Sequence, residues 1–244
     1  MIPGADRGSD PGKDEAIVRT LVLFDIDGTL VAGGPAKGAF HHALLEVYGK
    51  AGPIDAHEFS GKTDPQIARE LLRLDGLPDL DIDGGLQRLW EVYLGELEAR
   101  LPSHPMSILP GVEALVEALD AEKDVAVGLV TGNIVGGARL KLGSAGLPVW
   151  PVGGFGSDHE FRNELPGIAV RRASEAWGVS FAGDRVVIVG DTPRDVECGR
   201  HHGTRTVGVA TGNFTAGVLA EAGADLVLES FQELDRTLEA FLGG

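Results

Sequence analysis

Hydrophobic and polar positions along the 244-residue chain follow two alternating periods, and the alternation breaks off once. The first apolar run, "LVLFDIDGTL" (Leu21 to Leu30), reads as a buried strand that turns polar at Asp25. Three helical patterns follow it. In "AKGAFHHALLEVYG" Phe40, Ala43, Leu44 and Val47 recur at helical spacing, in "DPQIARELLRL" Ile67, Ala68, Leu71 and Leu72 do the same, and "LQRLWEVYLGELEARL" supplies a third helix. From Pro110 short β-rich runs return, each followed by a helical segment. Strands are expected over 125–130, 149–153, 186–190, 205–209 and 225–228, and helices over 111–122, 134–145, 164–177, 194–202, 215–222 and 230–242. Such alternation predicts a parallel sheet with helices on both faces. The expected architecture is α/β: a doubly wound, Rossmann-like core made of 17–32 and 107–244, with a small α-helical cap inserted at 33–106. Gly33 and Gly34, in the hinge from Leu30 to Pro35, suit lid motion.

Composition removes several function classes. The chain is 43% hydrophobic and 24% charged, the makeup of a globular protein that can bury a full core. A net charge of −16 argues against a nucleic-acid partner, which would require a basic footprint. Cys198 is the single cysteine, so no intramolecular disulfide framework exists. There is neither a secretory h-region nor an apolar run long enough to span a membrane, and the cytoplasm is the expected location. Residues 1–16, rich in Gly, Pro and charge, are expected to form a disordered leader. A monomer or homodimer acting on a small molecule is the expected state.

In open α/β sheets, ligands bind beyond the carboxyl ends of the strands. Three predicted strands end in polar, Gly-containing stretches: "LFDIDGT", "GLVTGN" and "VVIVGDTPRD". They would bring Asp25 and Asp27, Thr131 and Asn133, and Asp191 and Asp195 to one rim. Asp25 and Asp27 point to the same side of an extended chain, and if their carboxylates converge to about 5 Å the repulsion is about 3 kcal/mol at an effective dielectric near 20. A solvated Asp-Gly turn would relieve it, and so would a cation. The recurrence of Gly-Asp-Thr after a second buried strand, with Thr-Gly-Asn between, favours the cation. An all-oxygen donor set that keeps some water selects Mg²⁺.

Together these residues resemble the haloacid dehalogenase-like hydrolases, in particular the phosphatase branch with an α-helical cap that includes phosphoglycolate phosphatases and β-phosphoglucomutases. The likeness rests on Asp-x-Asp-Gly-Thr at 25–29, on Thr131 closing a strand, and on Gly-Asp-x-x-x-Asp at 190–195. It implies that Asp25 is a nucleophile forming an aspartyl-phosphate and that Asp27 is the general acid, then base. It also implies Mg²⁺ bound by the Asp25 and Asp191 carboxylates and the Asp27 carbonyl. Thr131, Gly132 and Asn133 would hold the phosphoryl oxygens, with Asp195 behind them. The family's third motif is a Lys, less often an Arg, near the start of the helix before the fourth. Here "SDHEFRNELPGIAV" offers Arg162; the alternative is Lys141, although its "ARLKL" context places it on a solvated helix face.

In the cap, "FSGKTDPQIARELL" reads as a helix start with Asp64 as N-cap and Pro65 at the first helical position. In similar capped phosphatases this loop contacts substrate, so Lys62 is expected to hold an anionic or polar substrate group. His159 is either a site neighbour or a loop residue, and Cys198 reads as core. The echo "VATGN" at 209–213 is expected to line a loop after its strand. The activity implied is Mg²⁺-dependent hydrolysis of a small phosphorylated metabolite, of the phosphoglycolate or sugar phosphate type. A phosphomutase of the same fold would share the core residues and differ in the cap. A 2-haloacid dehalogenase has no use for Asp27, and a phosphonatase would need a cap lysine, which Lys62 leaves open. A phospho-acceptor or binding module of another class would need neither the cap nor the whole acidic cluster.

Overall fold

A computed structural model describes residues 19–243, so the expected leader over 1–16 lies outside the described residues. In chain order the first half comprises β1 (Thr20–Phe24), β2 (Val31–Gly33), α1 (Ala36–Tyr48), α2 (Asp64–Leu74), α3 (Asp79–Arg100), β3 (Met106–Ile108), α4 (Val112–Ala121) and β4 (Val125–Thr131). The second comprises α5 (Val135–Ser144), β5 (Gly153–Phe155), α6 (Leu165–Trp177), β6 (Val186–Gly190), α7 (Pro193–His201), β7 (Arg205–Val209), α8 (Ala216–Glu221), β8 (Leu226–Leu228) and α9 (Leu234–Leu242). Six strands form one parallel sheet in the order β5-β4-β1-β6-β7-β8. This is the doubly wound α/β architecture, with α1–α3 as a helical insertion after β1.

β1 is central because it can be buried on both faces. Its side chains alternate across the sheet: Leu21 and Leu23 pack with Leu165, Ala169 and Cys198 on one face, while Val22 and Phe24 join Leu115, Phe231 and Phe241 on the other. The Phe24 ring meets those of Phe241 and Phe231 edge-on at centroid distances of 5.7 and 6.4 Å. Burying one such ring is worth about 1.5–3 kcal/mol. The chain leaves β1 for β4 on one side and returns to β6 on the other. The order reverses at β1, which puts the switch-point crevice at the ends of β1, β4 and β6.

The apolar residues of the insertion, Phe40 and Leu44 of α1, Leu71 and Leu72 of α2 and Tyr93 and Leu97 of α3, are buried in one cluster that is continuous with the Phe24 face of the sheet. α2 is capped by Thr63 rather than by the expected Asp64: the Thr63 Oγ1 accepts from Gln66 N at 3.2 Å, which leaves the Asp64 carboxylate for another partner. α3 begins seven residues earlier than its apolar pattern indicates, because Asp79 and Asp81 favour its first turn and Gly85 lies against the Tyr48 ring, where a side chain would not fit. The hinge from Leu30 to Pro35 contains a strand: β2 pairs antiparallel with β3, Val31 opposite Ile108, so both ends of the insertion meet in a two-stranded ribbon.

Two boundaries depend on contacts that periodicity does not carry. The edge strand β5 is Gly153–Phe155 rather than 149–153, since a Cβ on Gly153 would stand 2.6 Å from the Leu129 carbonyl and only a glycine fits that register. α9 starts at Leu234 rather than 230, because Phe231 is drawn into the core beneath Phe24.

The end of β6 passes into α7 through a reciprocal cap. Thr192 Oγ1 accepts from Asp195 N, while the Asp195 carboxylate accepts from Thr192 N at 3.0 Å and from Thr192 Oγ1 at 2.7 Å. Replacing this buried hydroxyl by a methyl group, Thr192→Val, is expected to lower unfolding free energy in urea by about 1–2 kcal/mol, with Thr192→Ser recovering most of the loss. An unchanged urea midpoint would show that the cap contributes nothing.

Candidate active site

Asp25 is the first residue beyond β1, and its N–H still donates to the Val189 carbonyl at 2.9 Å, which fixes the carboxylate at the sheet edge. The chain then reverses within one turn. The Ile26 carbonyl accepts from Leu30 N at 2.9 Å and Val31 N at 3.0 Å, and Gly28 takes a φ of 86°. A Cβ at Gly28 would lie 2.3 Å from Asp191 Oδ2, so both its conformation and its neighbour demand glycine. Asp27, beside it, projects half-exposed. β4 delivers Thr131, buried, and Asn133, whose Nδ2 donates to Thr131 Oγ1 at 2.9 Å and to Asp27 Oδ2 at 2.7 Å. β6 delivers Asp191, which accepts from Thr29 Oγ1 at 3.2 Å.

Asp25, Asp191 and Asp195, all buried, have carboxylate oxygens within 4.8 Å of one another. One guanidinium stands among them. Arg162 Nη2 lies 3.1 Å from Asp25 Oδ1, is paired with Asp195 Oδ1, and donates to the Val130 carbonyl at 3.1 Å. Burial works against the Arg162 charge, but Asp195 and Asp25 more than offset it and hold its proton above the usual arginine range. Burial raises Asp25 to about 6, with Arg162 opposing and Asp195 and Asp27 adding to the rise. Asp191 is pushed up to about 8 by burial, then by the charges of Asp195 and Asp25. The site therefore carries more carboxylate than counter-charge. Asp195 is engaged through both oxygens, by Arg162 and by Thr192, whereas Asp25 and Asp191 retain unused acceptor capacity. That donor set, hard oxygen on buried and underneutralised groups, fits a divalent cation.

These residues open into a cavity of about 590 Å³ between core and insertion. Of the residues singled out from the sequence, Asp25, Asp27, Lys62, Thr131, Gly132, Asn133, Arg162 and Asp191 line it, and Asp195 lies behind. Lys141 does not sit on a solvated helix face. It is buried on the inner face of α5, and its ammonium reaches Asp27 Oδ1 and Oδ2 at 2.8 and 2.7 Å. A long, flexible stem lets a lysine two turns into a helix reach a group at that helix's start. Arg162 and Lys141 thus serve different carboxylates. The echo at 209–213 also reaches the site: Thr211 Oγ1 donates to the Gly28 carbonyl at 2.6 Å, and Gly212 lies against Asp191, where a Cβ would be 1.7 Å from Oδ2. His159 is exposed in its loop, bonded to Phe161, and Cys198 is buried in α7 with its thiol pushed up to about 12 by burial.

The insertion supplies the opposite wall. Lys62 Nζ lies 2.5 Å from Glu70 Oε2 and 3.4 Å from His57 Nε2, and His57 Nε2 is 3.0 Å from the same Glu70 oxygen. Burial, then the Lys62 charge, lowers the His57 pKa, with Glu70 opposing. Burial tends to raise Glu70, but hydrogen bonds from Lys62 and Gln66 and the Lys62 charge leave it below the usual range. Asp64 accepts from Ile134 N at 2.8 Å, and its N–H donates to the Gly132 carbonyl at 2.8 Å. Glu70 carried no signal in the sequence beyond helical spacing, Asp64 was read only as a helix cap, and Lys141 only as the alternative to Arg162; a count of cations and acids on inward helix faces would have been needed.

Comparison with known proteins agrees with this architecture. Residues 166–234 match the HAD-hydrolase-like family. The chain is 31% identical over 184 residues to the phosphoglycolate phosphatase of Xylella fastidiosa, an alignment covering 75% of this chain and 76% of that protein. Among solved structures, a hydrolase from Pseudomonas syringae superposes with a TM-score of 0.64 at 21% identity, covering 90% of this chain and 97% of the other. CbbY from Rhodobacter sphaeroides, solved in complex with phosphate, also gives 0.64, at 17% identity, covering 89% of this chain and 96% of the other. The structural matches carry the fold and the sequence match carries the kinship: this chain belongs to the haloacid dehalogenase-like hydrolases and is a homologue of their phosphatases.

Proposed function

We propose that the protein is a Mg²⁺-dependent phosphatase that hydrolyses a small phosphorylated metabolite, of the phosphoglycolate or sugar phosphate type, through an aspartyl-phosphate. The observation that carries this reading is the excess of buried carboxylate at the end of β1: Asp25 and Asp191 face the cavity with their proton affinities raised, and Arg162 is the cation among them. The phosphoglycolate phosphatase of Xylella fastidiosa and the phosphate-bound CbbY support the substrate class by analogy.

The Asp25 carboxylate attacks phosphorus, the ester oxygen leaves with a proton from Asp27, and the phosphoryl group rests on Asp25. Water then attacks the same phosphorus, Asp27 takes its proton, and phosphate departs as the Asp25 carboxylate is restored. Asn133 and Lys141 fix the orientation of Asp27, while Thr131 and the backbone at Gly132 and Asn133 receive the phosphoryl oxygens. Arg162 offsets the charge of Asp25 as a phosphate dianion approaches. Mg²⁺, held by Asp25, Asp191 and the Asp27 carbonyl, would supply charge neutralisation between carboxylate and phosphate. The cap excludes water during transfer.

Phosphate release from p-nitrophenyl phosphate and a panel of phosphorylated metabolites should require Mg²⁺ and should fall by about 10⁴-fold or more in Asp25→Asn. Metal-independent turnover or full activity in that variant would sink the mechanism. Transfer to a second hydroxyl in place of release would make the enzyme a mutase.

A second prediction concerns pH. In the metal-free protein, Asp25 and Asp191 hold protons more tightly folded than unfolded, so the stability they contribute is complete below the ordinary carboxylate range. It is lost as pH rises through about 6 and about 8. The melting temperature without metal should therefore fall between about pH 5 and pH 8.5, and added Mg²⁺ should stabilise more at the upper end, where both carboxylates are free to bind it. At a hundredfold excess over Kd the stabilisation is about 2.7 kcal/mol. A Mg²⁺ shift that is larger at pH 5, or absent throughout, contradicts the assignment.

A further inference from the structure

Among the described residues, no cation on the cavity wall stands alone. Four cationic side chains line it, and each is paired: Arg162 with Asp25 and Asp195, Lys141 with Asp27, Lys62 with Glu70, and Lys37 with Asp55 at 3.5 Å. The Lys37 pair is solvent-exposed, where water and salt screen its charge. Lys62 differs. Its side chain is 11% exposed, and its half-buried pair with Glu70 is the more sheltered of the two cation–carboxylate pairs that the insertion contributes to the cavity among the described residues. The neighbouring His57 ring adds no charge, because burial and Lys62 both favour its neutral form. Glu58 also lines this wall.

We propose that Glu70 determines which leaving group the cavity accepts: by holding Lys62 in a pair it leaves the sheltered part of the cap wall with hydrogen-bond donors but no free cation, so the preferred phosphate ester carries an uncharged, hydroxyl-bearing leaving group and a carboxylate is disfavoured. The inference rests on the phosphatase reading and deepens it. A substrate carboxylate that accepts from Lys62 must either displace Glu70 or stand beside its charge, which lies 2.5 Å from the same ammonium, with Glu58 on the same wall. An ammonium has three N–H donors. With one directed at Glu70, a substrate hydroxyl can still accept from another without breaking the pair.

The test compares 2-hydroxyethyl phosphate with 2-phosphoglycolate, esters that differ in carrying a hydroxymethyl or a carboxylate group. With Mg²⁺ present, wild-type kcat/KM should favour 2-hydroxyethyl phosphate by about tenfold or more, the ratio that one lost charge-assisted hydrogen bond produces. Glu70→Gln, which frees Lys62, should move that ratio by about tenfold toward 2-phosphoglycolate. A wild-type enzyme that prefers 2-phosphoglycolate overturns the proposal whether or not the variant folds, and so does an unchanged ratio in a folded Glu70→Gln protein. Absence of Mg²⁺-dependent release from both esters and from p-nitrophenyl phosphate would instead overturn the phosphatase reading, and the proposal with it.

Discussion

One guanidinium shared by buried carboxylates organises the molecule. Arg162 pairs with Asp25 at the end of β1 and with Asp195 in the first turn of α7, and it also donates to Val130 of β4 and, at 3.3 Å, to Gly61 of the insertion. A charge removed from water at that depth is tolerable only with such a set of partners. Because those partners belong to two strand ends, to the first turn of α7 and to the cap loop, pairing the guanidinium holds all four in register. What it does not satisfy is Asp191, and that remaining imbalance makes the site receptive to a cation.

The loop before α2 shares the same logic. It approaches the core so closely that a Cβ on Gly132 would stand 2.0 Å from the Lys62 carbonyl, and the contact is closed by paired backbone and side-chain bonds. Thr63 Oγ1 donates to the Glu160 carbonyl at 2.5 Å, Arg194 Nη1 donates to the Ser60 carbonyl at 3.0 Å, and Arg69 Nε pairs with Glu160 at 2.9 Å. The cavity is enclosed because these bonds seat residues 60–64 on the rim. Lys62 and His57 then form its far wall, with Glu70 behind them.

The doubly wound core was legible because a two-sided buried strand and an amphipathic helix each leave a local pattern, and the strand and helix boundaries after residue 110 follow that pattern where no long-range contact intervenes. Gly153 and Phe231 show the exception. One is placed by the register of β4 and the other by the Phe24 ring, and neither constraint is written near its own position. The acidic pairs were legible for a similar reason: carboxylates directly after apolar strands are costly, and the cost is visible in ten residues.

The partner of Lys141 and the part played by Glu70 were not legible. In sequence both look like ordinary charged residues on amphipathic helices; in the fold one turns inward to Asp27 and the other toward Lys62. By itself the sequence determined the order of elements and the strand ends at which chemistry gathers, because these follow from hydrophobic period and local turn chemistry. Only the tertiary structure decided which cation meets which carboxylate. Coulomb pairing acts between side chains more than a hundred residues apart, and only the packing of the core and insertion sets the distances over which it acts.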